Sequence, residues 1–392
     1  MYGLNIFIWK KKKVMAGSKV KIWKQDPSVL NIGIRSSYIS TEVQNGPADS
    51  DIILQGMPHV VGNAEKDFIF YPEENPLEFD AVHTFTIVRQ VLTMLRRALN
   101  RMDITQNFNW YWGAEPIQVY PRAGLDANAY YSRNEKALRF FYFHPSGDES
   151  NSLIYTCRSF DIVAHEVGHA ALDSLKPEFL SSSWHPQTGG LHESFGDLTA
   201  IFTMLAQLDV CEAIVVESKA DLHTKTFFPI LAEQFGEAFG RPMGLRNADN
   251  DLKMSDVSTE VHDISRVFTG AIYDILADFF ELYQNPALYD HAESLFKVGK
   301  YLTSLVIASL WQGPDANATY TDIANKMIEL ESDDARKEII RVQFKKREIL
   351  DAPVGLRGVK PRKLSWKGCC GTMRLTEHQT LFEKNVINEA LS

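Results

Sequence analysis

Between Phe160 and Leu172 the chain reads as an apolar helix with His165, Glu166 and His169 set into it. Ser159 is placed to cap this helix, and Asp161 suits the positive end of its dipole. Residues 165 and 169 are four apart, so both imidazoles leave the same face. That spacing suits two nitrogens on one zinc ion at about 2.0–2.1 Å. Glu166 is turned far enough from such an ion to reach a water held by it. Zinc lowers that water's pKa to about 7, and a neighbouring carboxylate can take its proton. Gly168 costs about 1 kcal/mol relative to Ala in mid-helix, which a second backbone passing close by would explain. Five residues can arise by chance, so the rest of the chain has to decide.

A catalytic zinc site needs a third protein ligand and an open position. Glu193 is read as opening a second helix, with Asp197 one turn further on the same face. A ligand carboxylate followed by a carboxylate that holds a ligand imidazole by its other nitrogen meets that need. His192 competes as a ligand, but its side chain leaves the helix about 100° away from that of Glu193.

The chain has 392 residues, enough for two ordinary domains or one catalytic unit of two lobes around a cleft. Apolar residues make up 45%, so a sizeable core is available. A net charge of −9 gives no electrostatic footprint for nucleic acid or an anionic membrane. No apolar run is long enough to span a bilayer. Ile6 to Trp9 precedes Lys10 to Lys13, the reverse of a secretory signal, so the expected location is cytoplasmic or reached by a signal-independent route. Four cysteines, two of them the adjacent Cys369 and Cys370, do not suggest a disulfide scaffold.

Strand patterns fall at Val20–Trp23, Ile52–Leu54, Phe68–Tyr71, Gln118–Tyr120 and Leu138–Phe143, with a long helix over 80–101 between them. Helical patterns follow at 160–175, 190–208, 259–283, 291–312 and 319–348. The expected division is an extension over 1–16, a β-rich lobe with the long helix and the zinc helix over 17–175, a helical lobe over 176–352 and a tail over 353–392.

With these motifs in place the sequence resembles the thermolysin-like gluzincin metallopeptidases over about residues 75–350. Asp161 to Glu166 resembles the opening of that family's zinc helix, and Glu193 with Asp197 its third-ligand helix. Asn128-Ala129-Tyr130-Tyr131 resembles its edge strand. Gly244-Leu245-Arg246 and Glu260 to Ser265 resemble the stretch that brings an Arg and a His to the cleft. The resemblance implies an α+β, two-lobed thermolysin-like fold, β-rich before the cleft and helical after it. It implies a zinc endopeptidase acting on peptide or protein substrates. His165, His169 and Glu193 would bind zinc, with Asp197 behind them. Glu166 would be the general base and then proton donor, and His262 would stabilise the tetrahedral intermediate. Arg246 would bind a substrate carbonyl, Asn128 and the Ala129 backbone would align an extended peptide, and Leu245 and Ile162 would line an apolar pocket.

The departures from the family pattern are specific. Trp184 stands where the family has a Tyr that helps hold the oxyanion. Met204 stands where it has a calcium carboxylate, so no calcium is expected there although Asp161 matches another calcium position. Val257 stands where a carboxylate orients the His, leaving Asp256 and Glu260 as candidates. Other readings stay open: a protease specific for one host protein, as a toxin or effector is, and a relative that only binds protein, against which an intact Glu166 argues. An aminopeptidase of the wider gluzincin group is a third, for which Gly113-Ala114-Glu115-Pro116 is a poor match to the amine-capturing strand.

Overall fold

The structure is a computed structural model that describes residues 17–104, 108–145, 150–180, 185–241 and 244–350. The expected extension over 1–16, the tail over 353–392 with Cys369 and Cys370, and Trp184 lie outside the described residues.

Inward Ser18, Val20 and Ile22 alternate with outward lysines, and this period of two makes β1 (Ser18–Trp23) a strand with one buried face. It pairs antiparallel with β2 (Ile34–Ile39). Next come β3 (Ile52–Leu54) and a 26-residue helix, α1 (Pro76–Arg101). Pro76 starts α1 four residues before the expected Asp80, because proline's missing N–H costs nothing in a first turn. Strands β4 (Ile117–Tyr120), β5 (Ala129–Ser132) and β6 (Ala137–Phe140) join β3 in a sheet of order β3-β4-β6-β5. β5 runs antiparallel to β6 and lies at the sheet's edge. The expected run from Leu138 to Phe143 breaks at Phe141, whose N–H donates to the Asn128 carbonyl at 3.2 Å. The chain resumes as β7 (Tyr142–Phe143), paired with β8 (Ile154–Tyr155). Phe68 makes a single parallel bridge to Val20, so Phe68–Tyr71 is not the strand its sequence suggests.

From residue 160 helices dominate: α2 (Phe160–Leu175), α3 (Pro186–Leu205), α4 (Leu208–Ser218) and, between the two-residue strands β9 (Ile230–Leu231) and β10 (Arg246–Asn247), α5 (Glu233–Ala238). Then follow α6 (Val261–Tyr283), α7 (His291–Gln312), α8 (Tyr320–Leu330) and α9 (Asp334–Lys346). The chain is α+β. The pattern over 319–348 is two helices, not one, because Asp333 caps α9 by accepting from Arg336 N. Glu193 does not open its helix: α3 begins at Pro186, with the His185 ring accepting from Gln187 N. Among the described residues no single helix is long and apolar enough to cross a membrane.

One apolar cluster runs from Val20 to Leu350 and joins the strands to the helices. α2 lies inside it, buried at every position from Phe160 to Asp173 and packed on α1, α3 and β5. The polar side chains buried on it, Asp161, His165, Glu166, His169 and Asp173, must find partners or a ligand within the protein.

Candidate metal centre

Two glycines set how closely α2 and α3 cross. A Cβ on Gly168 would lie 2.9 Å from Thr199 Oγ1 and 3.0 Å from Gly196 Cα. A Cβ on Gly196 would lie 2.6 Å from His165 Cε1. The passing backbone that Gly168 suggests is therefore α3, and the approach carries Glu193 and Asp197 to the two imidazoles.

His165 Nε2 lies 3.6 Å from Glu193 Oε2, and His169 Nε2 lies 3.7 Å from Glu193 Oε1. His165 Nε2 and Glu193 Oε2 are buried without a hydrogen-bond partner. Donors on a tetrahedral ion with bonds of about 2.0–2.1 Å stand roughly 3.3 Å apart, so this spacing is near what one zinc ion would impose. Glu166 is the other carboxylate beside the pair, and one ligand atom each from His165, Glu166 and His169 lie within 4.8 Å of one another. Its two oxygens are not equivalent. Oε2 accepts the Tyr131 backbone N–H at 3.0 Å, while Oε1 is buried without a hydrogen-bond partner. That asymmetry suits a base with one oxygen anchored and one available. Glu193, facing both imidazoles, suits the ligand role better.

Behind these atoms the outer ring nitrogens are held. His165 Nδ1 is 2.9 Å from Asp197 Oδ1, and Asp197 in turn accepts from Arg246 Nε at 2.9 Å. A carboxylate at Nδ1 fixes the proton there and turns Nε2 into the lone-pair donor. Arg246, expected on a substrate carbonyl, thus has its guanidinium on Asp197. His169 Nδ1 is 2.8 Å from His192 Nδ1. Burial, with the Arg133 and His165 charges, lowers the His192 pKa to about 3. A neutral His192 accepts at Nδ1 from His169 Nδ1–H, which leaves His169 Nε2 for a metal. The same 100° offset that argues against His192 as a ligand directs it to the far side of the second imidazole. That consequence is legible in the sequence once the crossing of the helices is known.

His262, at the start of α6, has Nε2 3.5 Å from Glu193 Oε2 and Nδ1 2.6 Å from Glu260 Oε1. Of the two candidate carboxylates, Glu260 orients it. Asp256 instead closes a short turn on the Lys253 N–H, and Val257 is buried in the core. Glu260 also caps α6 by accepting from Asp263 N at 2.9 Å.

Burial opposes a charge on His165, and Arg246 adds to that, but Asp197 and Glu193 outweigh both and lift its pKa to about 9. Burial raises Glu166 to about 7, with the Glu193 charge adding and His165, Arg246 and the Tyr131 N–H opposing. These values belong to the protein groups alone. A bound dication favours neutral imidazoles and ionised carboxylates, so metal binding would release protons here.

On β5 the Tyr131 N–H points away from β6 to Glu166, so Ala129, two residues earlier, presents its carbonyl to the same open edge. The Ala129 N–H is taken by Asn128 Oδ1 at 2.9 Å, and the Asn128 carbonyl by Phe141 N–H. Ile162 lines a small recess with Leu231, Ala200 and Arg246. Leu245 is not part of it. Leu245, beside β10, is partly buried against the core.

Two further expectations meet a different arrangement. Ser159 sits at the N-cap of α2 without bonding a backbone N–H there; its hydroxyl donates to Asp26 Oδ2 at 2.8 Å and also contacts Asp161. Asp161 accepts from Ile162 N and Ala232 N and faces buried Asp26 and Glu233, neither of which is flagged by the sequence motifs. Burial and the Asp26 charge raise Asp161 to about 6. Met204 is buried near the far end of α3.

No protein-family model matches the chain, and no curated protein matches its sequence. The functional reading rests on the motifs and on the geometry above.

Proposed function

We propose that this chain is a zinc-dependent endopeptidase with a two-lobed, thermolysin-like architecture. The observation that carries the reading is the convergence of His165 Nε2, His169 Nε2 and both Glu193 oxygens at 3.6–3.7 Å, with Glu166 beside them and a strand edge alongside. Two imidazoles and a carboxylate, two of their atoms buried without hydrogen-bond partners, are a donor set zinc accepts. A zinc ion held by His165, His169 and Glu193 supplies a Lewis acid and an acidified water.

The chain's own groups do the rest. An extended peptide lies along β5, bonded to the Ala129 carbonyl and positioned by Asn128. Glu166 Oε1 takes a proton from the attacking water while the Tyr131 N–H holds Oε2, and the same oxygen later passes that proton to the leaving amine. His262, aligned by Glu260, donates from Nε2 to the oxyanion as charge develops. Asp197, Arg246 and His192 keep the ligand imidazoles in the tautomers that the chemistry needs.

Metal analysis after gentle purification should find about one zinc per chain, and a mixed peptide library should be cut at internal bonds. Absence of metal sinks the central claim, and cleavage confined to amino-terminal residues turns the reading towards an aminopeptidase. His262→Ala should lower turnover roughly 10²-fold with zinc retained. Loss of zinc in that variant would make His262 a ligand, a role its approach to Glu193 makes worth testing.

A further inference from the structure

At the end of α3 remote from Glu193, a cleft of about 260 Å³ opens between α1, α7 and β2. The last turns of α1 place Arg97 and Arg101 on its wall, and α7 places Lys300 there. Thr41 adds a hydroxyl, while Thr93 and Thr203 donate theirs to the Arg89 and Thr199 carbonyls. Lys24 and Arg89 also reach the wall but are committed, Lys24 to Asp209 at 3.1 Å and Arg89 to Asp49 and Asp51 at 2.8 and 2.7 Å.

The other three cations differ. Among the described residues no carboxylate forms an ion pair with Arg97, Arg101 or Lys300. Arg101 donates to neutral acceptors, Ser304 Oγ at 2.9 Å and the Lys300 carbonyl at 3.3 Å. Lys300 Nζ lies 4.7 Å from the centre of the Phe296 ring. Burial lowers the pKa of Arg101 and the Arg97 charge adds to it; burial lowers that of Lys300, with Arg101 and Arg97 adding. Three like charges, exposed Arg97 and Arg101 and half-buried Lys300, thus stand together at one cleft in a chain whose formal net charge is −9. The carboxylate on this wall, Asp209, is paired with Lys24, and among the described residues none is paired with these three. A bound anion would offset that charge.

We propose that this cleft binds a small polyanion carrying clustered phosphates, at a site separate from the metal centre. The Arg97 guanidinium fork matches phosphate oxygens bidentately, Arg101 and Lys300 add charge, and the Thr41 hydroxyl adds a donor. The volume is at the small end for ligand pockets, which suits a compact phosphorylated group over an extended nucleotide. Such a group can belong to a free metabolite or to a lipid headgroup, and the two present the same chemistry to these side chains.

Calorimetric titration of the full chain with inositol hexakisphosphate, at physiological ionic strength, tests the soluble source. Co-sedimentation with vesicles containing phosphatidylinositol bisphosphate, against vesicles of phosphatidylcholine alone, tests the lipid source. Saturable binding in either arm, weakened roughly tenfold or more in Arg97→Ala/Lys300→Ala and unchanged in Arg341→Ala, is expected. Arg341 carries the same charge away from the cleft, paired with Glu338 on the surface. Neither probe binding, equal loss in Arg341→Ala, or unweakened binding by the double variant with native circular dichroism would each overturn the proposal. Peptidase activity is not the readout, so this outcome is independent of the zinc assignment.

Discussion

Glu166→Gln is expected to keep zinc at wild-type stoichiometry while peptide turnover falls roughly 10²–10⁴-fold. Gln has nearly the shape of Glu, which matters at a position with no exposure. Its carbonyl oxygen can still accept the Tyr131 N–H, so β5 and α2 should keep their register. What Gln cannot do is accept a proton at the other terminal atom, the one that is buried in Glu166 without a partner. The variant thus removes proton transfer and leaves packing alone. Zinc content separates this account from its rival, because Glu166 also lies within reach of a shared ion with His165 and His169. Loss of zinc in Glu166→Gln with retention in Glu193→Gln would exchange the two carboxylates' roles. Unchanged turnover would remove Glu166 from the chemistry altogether.

The sequence carries local periodicity well and long-range approach poorly. α2 is readable because the apolar pattern over residues 160–172 has the two imidazoles and Glu166 set into it, and its ends fall where the pattern does. The start of α3 is not, because Pro186 and the ring of His185 do the work of a cap without the usual Ser, Thr, Asp or Asn. The candidate ligands share one feature: each lies on a helix whose facing residues can be counted. Glu260 was one of two carboxylates in reach of His262, and only the backbone path chooses between them. Arg246 on Asp197 and His192 behind His169 both depend on how separate segments meet. Asp26 lies 135 positions from Asp161 and shares Ser159 with it, a contact no local pattern encodes.

That dependence on approach makes Gly196→Ala the sharpest test of the site's geometry. The added methyl would sit 2.6 Å from His165 Cε1 and 2.7 Å from its Nδ1, inside contact distance. A flexible side-chain end could swing away, but this ring is held by Asp197 at 2.9 Å, which is itself held by Arg246. Either the ring tilts or the two helices separate, and both move a ligand nitrogen relative to Glu193. Disturbing ligand orientation in this way should cost roughly 10–100-fold in zinc affinity. Stability is the weaker readout. Overpacking costs about 1–3 kcal/mol, while replacing Gly by Ala in a helix returns about 1 kcal/mol, so the melting shift is a small difference. Gly168→Ala supplies the contrast: its methyl meets the Thr199 hydroxyl at 2.9 Å and Gly196 Cα at 3.0 Å but no ligand ring. It should therefore cost less zinc affinity than Gly196→Ala does. Competition titration against a chromophoric chelator measures the affinity in both variants. Wild-type zinc affinity in Gly196→Ala would mean that α3 does not pass His165 this closely, and Glu193 would then lose its claim as the third ligand.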